Sequence, residues 1–411
     1  MGRGRRVWLL VLALTGCHTS TPVSPRSTVP TAPSVALTLP ETQPIPPQFD
    51  AEGLPRYPTH KGTGPNGRFR RLTEADCIRL AAAQSSAANS LDAESGIPPT
   101  PSNCDAPTET LRRLLRYHTA LELRNQAVAQ ALDRFFQLGD TEARTDLLRQ
   151  AFPVLDTLLA KARAAVEAGV RFPLATADLE YQRSQLESQL VQAEFGSSLL
   201  NIDLKRRLGL PAVPAEERLW PGGDFRVDPE PIDAEQAVTA ALADRPELRG
   251  LRALYHGLTP ETLAELRETL PNAGSIATSS RLARLLARKR GPDAATQAEL
   301  EVRRKQLYEL IADRERAVAD EARAAALAVN TQRLQAALAR DRVKYWDDKL
   351  ADAVKKLEGK QPGADLLEAQ VRLEWLKAKA ELIAAVAAWH RARVQLRAAQ
   401  GWLAWEALGP H

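Results

Sequence analysis

Cysteine, methionine and aromatic residues are scarce in this chain. One methionine, three cysteines and 5% aromatic residues in 411 positions leave little material for a thick globular core or a disulfide-built scaffold. A dominant charge is also missing. Lys plus Arg number 55 against 51 for Asp plus Glu, interspersed along the chain, which is the pattern of solvated helix faces and not of a nucleic-acid surface. Catalytic signatures are lacking too. There is no His-Glu-x-x-His, no Cys-x-x-Cys and no Gly-rich phosphate loop, and His18, His60, His118, His256, His390 and His411 are scattered. The acidic pair Asp347-Asp348 sits among Lys344, Lys349 and Lys355 and reads as helix surface charge. The chain is therefore read as no enzyme, with no cofactor, no metal and no nucleic-acid partner.

What is present begins at the N-terminus. Arg3, Arg5 and Arg6 precede an apolar core, Val7 to Leu14, far short of the ~20 residues that a membrane-spanning helix needs. Leu14-Thr15-Gly16-Cys17 then resembles a lipobox, so residues 1–17 read as a lipoprotein signal and Cys17 as the lipidation site. His18 follows in place of the Asp that favours inner-membrane retention, and the expected location is the outer membrane, lipid-anchored and facing the periplasm. Residues 18–70 are rich in Pro, Ser and Thr and read as a disordered tether. Cys77 and Cys104 remain in an oxidising compartment, where a disulfide and two free thiols are both open.

The body reads as an all-α tandem duplication, residues 71–231 and 232–405, with a short tail at 406–411. Each half opens with a short amphipathic helix after a capping Thr73 or Asp233. A long helix follows, about 110–168 or 293–357, then a Gly-bearing tip and a second helix ending near Gly209 or Gly401. Gly139-Asp140-Thr141 is expected to interrupt the first long helix. The descending helices carry a/d spacing, through Leu179, Leu186, Leu190, Ala193, Ser197, Leu200 and Leu204, and through Leu366, Leu373, Leu376, Ala380, Ile383, Ala387 and Val394. Trp375 and Trp389, two heptads apart, read as packing anchors. Trp402 and Trp405 suit either a membrane interface or packing against the short opening helices.

Leu72-Thr73-Glu74-Ala75, Asp244-Arg245-Pro246-Glu247-Leu248, Leu208-Gly209-Leu210-Pro211, and Gly359 followed by Ala364-Asp365-Leu366-Leu367-Glu368-Ala369-Gln370, taken in order, resemble the TolC-like outer-membrane efflux factors. The resemblance implies a trimer, helical hairpins forming a periplasmic conduit, and docking to a periplasmic adaptor and its inner-membrane pump. The adaptor would meet the tips, at Gly169, Arg171 and Asp178 and at Gly359, Lys360 and Asp365. The departure from the family lies in its membrane strands. The window from Ala93 to Pro107 holds four prolines, and that from Pro271 to Pro292 holds a basic amphipathic run, Arg281 to Arg290. The β-barrel strands are expected to be largely missing. A non-transporting coiled-coil scaffold or binding lipoprotein is the alternative.

Overall fold

The computed structural model describes residues 42–43, 69–96, 106–169, 172–210, 218–222, 225–263, 292–361 and 363–408. Cys17, Arg171, Cys104, nearly all of the segment read as a tether, and the basic run 281–290 lie outside them. In chain order the elements are β1 (Thr42–Gln43), β2 (Phe69–Leu72), α1 (Glu74–Ala83), α2 (Ser86–Ser95), α3 (Ala106–Glu167), α4 (Thr176–Arg207) and β3 (Arg218–Pro221). They continue with α5 (Ala234–Asp244), α6 (Pro246–His256), α7 (Pro292–Glu358), α8 (Ala364–Ala399) and α9 (Trp402–Leu408). The same order recurs in both halves: two short helices, a very long one, a reversal and a shorter return.

The helix ends follow local chemistry. Thr73 caps α1 in a reciprocal box with Asp76, the Asp76 amide donating to Thr73 Oγ1 at 3.1 Å and the Thr73 amide to the Asp76 carboxylate at 3.3 Å. Asp233 caps α5 by accepting from the amides of Glu235 and Gln236 at 2.8 and 3.3 Å. Pro246 opens α6, where a missing N–H costs no helical bond. α4 and α8 stop just before Gly209 and Gly401, both in the left-handed region at φ 59° and 76°.

One expected break is absent. α3 runs unbroken through Gly139-Asp140-Thr141 for 62 residues, ~93 Å at ~1.5 Å each. The Thr141 and Thr145 hydroxyls donate to the carbonyls four residues back, at 2.9 and 2.7 Å, and Asp140 accepts from Arg144 at 2.7 Å. The polar side chains that suggested a cap are thus accommodated within the helix.

The four long helices form a row in the order α4, α3, α8, α7, so α3 and α8 are flanked on both sides and α4 and α7 are lateral edges. The seam residues named above are buried or half-buried along this row. α1, α2, α6 and α9 lie against α3, and α5 and α6 lie against α7. The main core fills the middle of the molecule around Leu132, Phe135, Phe136, Phe225, Leu382 and Val386. Here Phe136 stacks on the His390 ring at 4.7 Å between centroids.

The structure is mainly helical, with one addition to the all-α expectation. Three short strands form a sheet in the order β1-β2-β3, β1 antiparallel to β2 and β2 parallel to β3, with Phe69 opposite Arg218 and Leu72 opposite Pro221. Thr42 and Gln43, within the segment read as a tether, pair with Arg70 and Phe69. Buried Asn201 on α4 holds β3 from its other side: its side-chain amide donates to the Leu219 carbonyl at 3.0 Å and accepts from the Leu219 amide at 3.1 Å. Among the described residues, no helix is long and apolar enough to cross a membrane.

Candidate functional site

Two kinds of place stand out, the hairpin tips and the lateral edges. At the first tip the chain leaves α3 through Gly169, whose φ of 68° favours glycine and whose added Cβ would meet nothing within 4 Å. Phe172 and Leu174 then fold back onto Leu155, Leu158 and Leu159. Asp178 is exposed in the first turn of α4, where a carboxylate suits the helix N-terminus. At the second tip the left-handed residues are Lys360, φ 52°, and Gly363, φ 75°, while Gly359 keeps a negative φ. The reversal lies at the Gly-bearing tip, and its left-handed turn uses Lys360, a side-chain-bearing residue, together with Gly363.

Asp365 does not stand free at the tip. Its carboxylate accepts from Lys161 of α3 at 2.6 Å and from the Leu366 amide at 2.8 Å, and these bonds hold it below the usual carboxylate range. Lys161–Asp365 therefore ties one hairpin to the other near the tips. Of the proposed tip residues, Gly169, Asp178, Gly359 and Lys360 are exposed.

The edges were missed by sequence reasoning. On α4, Val191, Phe195, Leu199 and Ile202 are 50–64% exposed and lie along one stripe, on the face away from the seam. On α7, Leu327, Leu334, Leu338 and Tyr345 recur at steps of seven, four and seven and are 54–58% exposed. The two stripes lie at matching heights. The α4 stripe begins roughly 15 residues above Thr176 and the α7 stripe roughly 13 residues above Glu358, about 20 Å above each tip at ~1.5 Å per residue. The signal was present in the sequence as a second heptad stripe, hidden beside the stronger Leu seam.

At the other end of the return helices, Asp244-Arg245-Pro246-Glu247-Leu248 is a packing hub. Arg245 pairs with Glu247 at 2.7 Å and with Glu321, while Arg314 bonds Glu247 at 2.6 Å and Glu321 at 3.3 Å. Gly401 passes so close that a Cβ there would lie 2.8 Å from Pro246 Cδ. Trp402 and Trp405 donate to the Asp244 carboxylate and carbonyl at 3.1 and 3.3 Å, which favours the packing role over a membrane interface. Trp389 is buried against Ala326 and Val329, and Trp375 bonds Asp347 with Lys379 3.4 Å above its ring.

Of the remaining residues singled out by type, His118, His390 and Cys77 are held within the packing. His118 is half-buried, and burial with nearby Arg249 lowers its pKa. His390 is 2% exposed between Phe136 and Trp389. Cys77 is a free thiol in the main core, pushed up by burial and by Glu74 and Asp76. Among the described residues no group of three or more His, Cys, Asp or Glu is placed to hold a metal ion.

Comparison with solved structures bears on the helical row as a whole. The channel CusC superposes with a TM-score of 0.54 at 11% identity, covering 88% of this chain and 99% of its own. The open-state outer-membrane channel MtrE of Neisseria gonorrhoeae gives 0.53 at 11% identity, with 80% and 88% covered. The CmeC outer-membrane channel of Campylobacter jejuni gives 0.50 at 12% identity, with 80% and 83% covered. The fold is that of the TolC-like outer-membrane channels. No family model and no curated protein matches the sequence. At such low identity the likeness concerns the path of the TolC-like backbone, and roles for side chains must come from this chain's own chemistry.

Proposed function

We propose that copies of this chain associate edge to edge, α4 of one copy against α7 of the next, into a closed helical collar or conduit of an outer-membrane efflux or export system. The observation that carries this is the pair of exposed apolar stripes at one height on opposite edges of the row. An edge that differs from its complement gives a head-to-tail contact, and such contacts make rings when the rotation closes. The channel fold supports three copies, with the tips reaching toward a periplasmic adaptor and its inner-membrane pump. Cys17 would anchor the ring to outer-membrane lipid.

A specific observation limits this conduit. Only ten residues, 96–105, join the end of α2 to the start of α3, whereas a pair of membrane-crossing strands needs about 20. This favours a collar that ends at the membrane surface, and it keeps the scaffold reading in play. The ring reading is tested by the mass of the purified protein in mild detergent: a trimer for the wild type and a folded monomer for Leu338→Glu are expected. A wild-type monomer at micromolar concentration would defeat it. Stable single-channel steps in a planar bilayer would instead defeat the collar.

A further inference from the structure

Where α3 meets α4 and β3, charged side chains from all three elements are drawn together. Glu142 and Asp146 lie one turn apart on α3 at 4% and 6% exposed, which places two buried carboxyl groups on one face of one helix. Arg218 of β3 donates to Glu142 Oε1 at 2.6 Å and also to the Ser197 hydroxyl of α4, which in turn donates to Glu142. Arg149, on the next turn of α3, reaches two acids at once. Its Nη2 donates to Glu194 Oε1 of α4 at 2.5 Å, while its Nη1 lies 3.5 Å from Asp146 Oδ1. Towards α8, Ala143 and Leu147 of the same stretch join Leu382, Ile383 and Val386 in the main core.

The partners are shared unevenly. Glu142 has close bonds from Arg218 and Ser197, and Glu194 has one from Arg149, whereas Asp146 has the longest contact, to a guanidinium already engaged by α4. An ionised Asp146 sets a second negative charge beside Glu142 out of water, which is costly unless Arg149 closes on it. At 3.5 Å, Arg149 stands short of that position.

We propose that this cluster is a proton-controlled strap between α3 and the edge helix α4: with Asp146 protonated, Arg149 holds Glu194, and when Asp146 ionises, Arg149 turns to it and releases α4. Burial fixes the direction. It lifts Asp146 to about 7, with Glu142 adding to the rise and Arg149 and Arg218 opposing it. It also raises Glu142 against Arg218, Ser197 and Arg149, with Glu194 on the side of burial. The strapped arrangement therefore binds the Asp146 proton more tightly than a loosened one, in which the carboxyl returns toward its ordinary 3.8. Its advantage is full below about pH 4 and is lost as pH rises through 7. Glu194 directly precedes Phe195, so the strap sets how firmly the bare apolar stripe of α4 is held in place. It operates within one chain and does not depend on the ring.

The test is hydrogen exchange read by mass spectrometry on the mature full-length protein in mild detergent, at about pH 5.5 and about pH 7.5, each rate divided by the intrinsic rate at that pH. Peptides covering 188–200 of α4 should lose about 10-fold or more of their protection at the higher pH, while those covering 366–380 of α8 keep theirs. Asp146→Asn, neutral at either pH, should keep the strapped protection at both. Arg149→Gln should lose it at both, and the helical circular dichroism of each variant verifies its fold. The strap is overturned by wild-type protection that does not change with pH, by a folded Asp146→Asn variant that keeps the wild-type pH dependence, or by a folded Arg149→Gln variant that exchanges like the wild type. Mass measured on the same samples separates the two readings. A trimer with pH-independent exchange sinks the strap alone, whereas a permanent monomer with the expected exchange sinks the ring and leaves the strap standing.

Discussion

α4 and α8 are the return arms of two hairpins, close in length at 32 and 36 residues, yet they are buried very differently. α8 buries residues along its whole length, from Ala364 through Leu382 and Val386 to Leu396, whereas α4 buries only Leu179, Ser197, Asn201 and Leu204. The cause is position in the row. α8 has a long helix on each side, and α4 has one. A repeated unit thus acquires an interior or an edge character from its neighbours, and its sequence adapts: α8 is apolar on two faces, while α4 has an inward seam and an outward stripe that a single chain leaves bare.

The most severe way to probe this contrast is to cut a large side chain from the interior. Phe135→Ala on α3 should cost about 3–5 kcal/mol in urea unfolding, since the ring is 1% exposed among Phe136 and Phe225. Next comes the bond between edge helix and sheet. Asn201→Leu leaves the Leu219 amide and carbonyl unanswered and should cost about 1–3 kcal/mol. At the tips the two hairpins should part company. Gly169→Val forces a β-branched residue to φ 68° and should lose about 1–2 kcal/mol, while Gly359→Val should stay within about 0.5 kcal/mol. Equal effects would mean that the reversals use the same pivot after all.

pH should sharpen the contrast with opposite signs. Burial lifts interior Asp146 on α3 to about 7, against the pull of Arg149. The folded state then binds its proton more tightly than the unfolded chain, so this contribution is full below about pH 4 and is lost as pH rises through 7. Burial also acts to raise Asp203 on edge helix α4, but bonds from Arg207, Arg206 and Arg134 overcome it and hold the carboxyl at about 2. Its contribution is present above about pH 4 and is lost as pH falls through 2. Asp146→Asn should flatten the neutral limb of the stability curve by on the order of 1 kcal/mol. Asp203→Asn should flatten only the acid limb. The smallest effect belongs to the bare edge, where Phe195→Ala should change monomer stability by less than about 0.5 kcal/mol while reducing association.

Much of the fold was legible because long helices announce themselves by period. The Leu seams, the caps at Thr73 and Asp233, and the stops at Gly209 and Gly401 depend on contacts a few residues apart, which a linear reading captures. Gly139-Asp140-Thr141 was misread for the complementary reason. Its polar side chains find partners inside the helix, and α3 packs against α4 and α8 on either side. The strands escaped notice because two to four residues carry almost no alternation, and β2 meets β3 only through the fold. At the second tip, Asp365 proved to be engaged with Lys161, a partner 204 positions away.

The grip of Asn201 on Leu219 has a consequence for how copies of this molecule meet. A parallel sheet that ends at β3 would offer its outermost backbone groups as a template, and identical chains could zip together strand on strand without limit. The Asn201 amide stands in for one rung of that absent strand, presenting a donor and an acceptor at the place where another backbone would dock. The sheet is thereby closed by its own chain. Growth in that direction is refused, which in the proposed ring would leave contact between copies to the helical flanks.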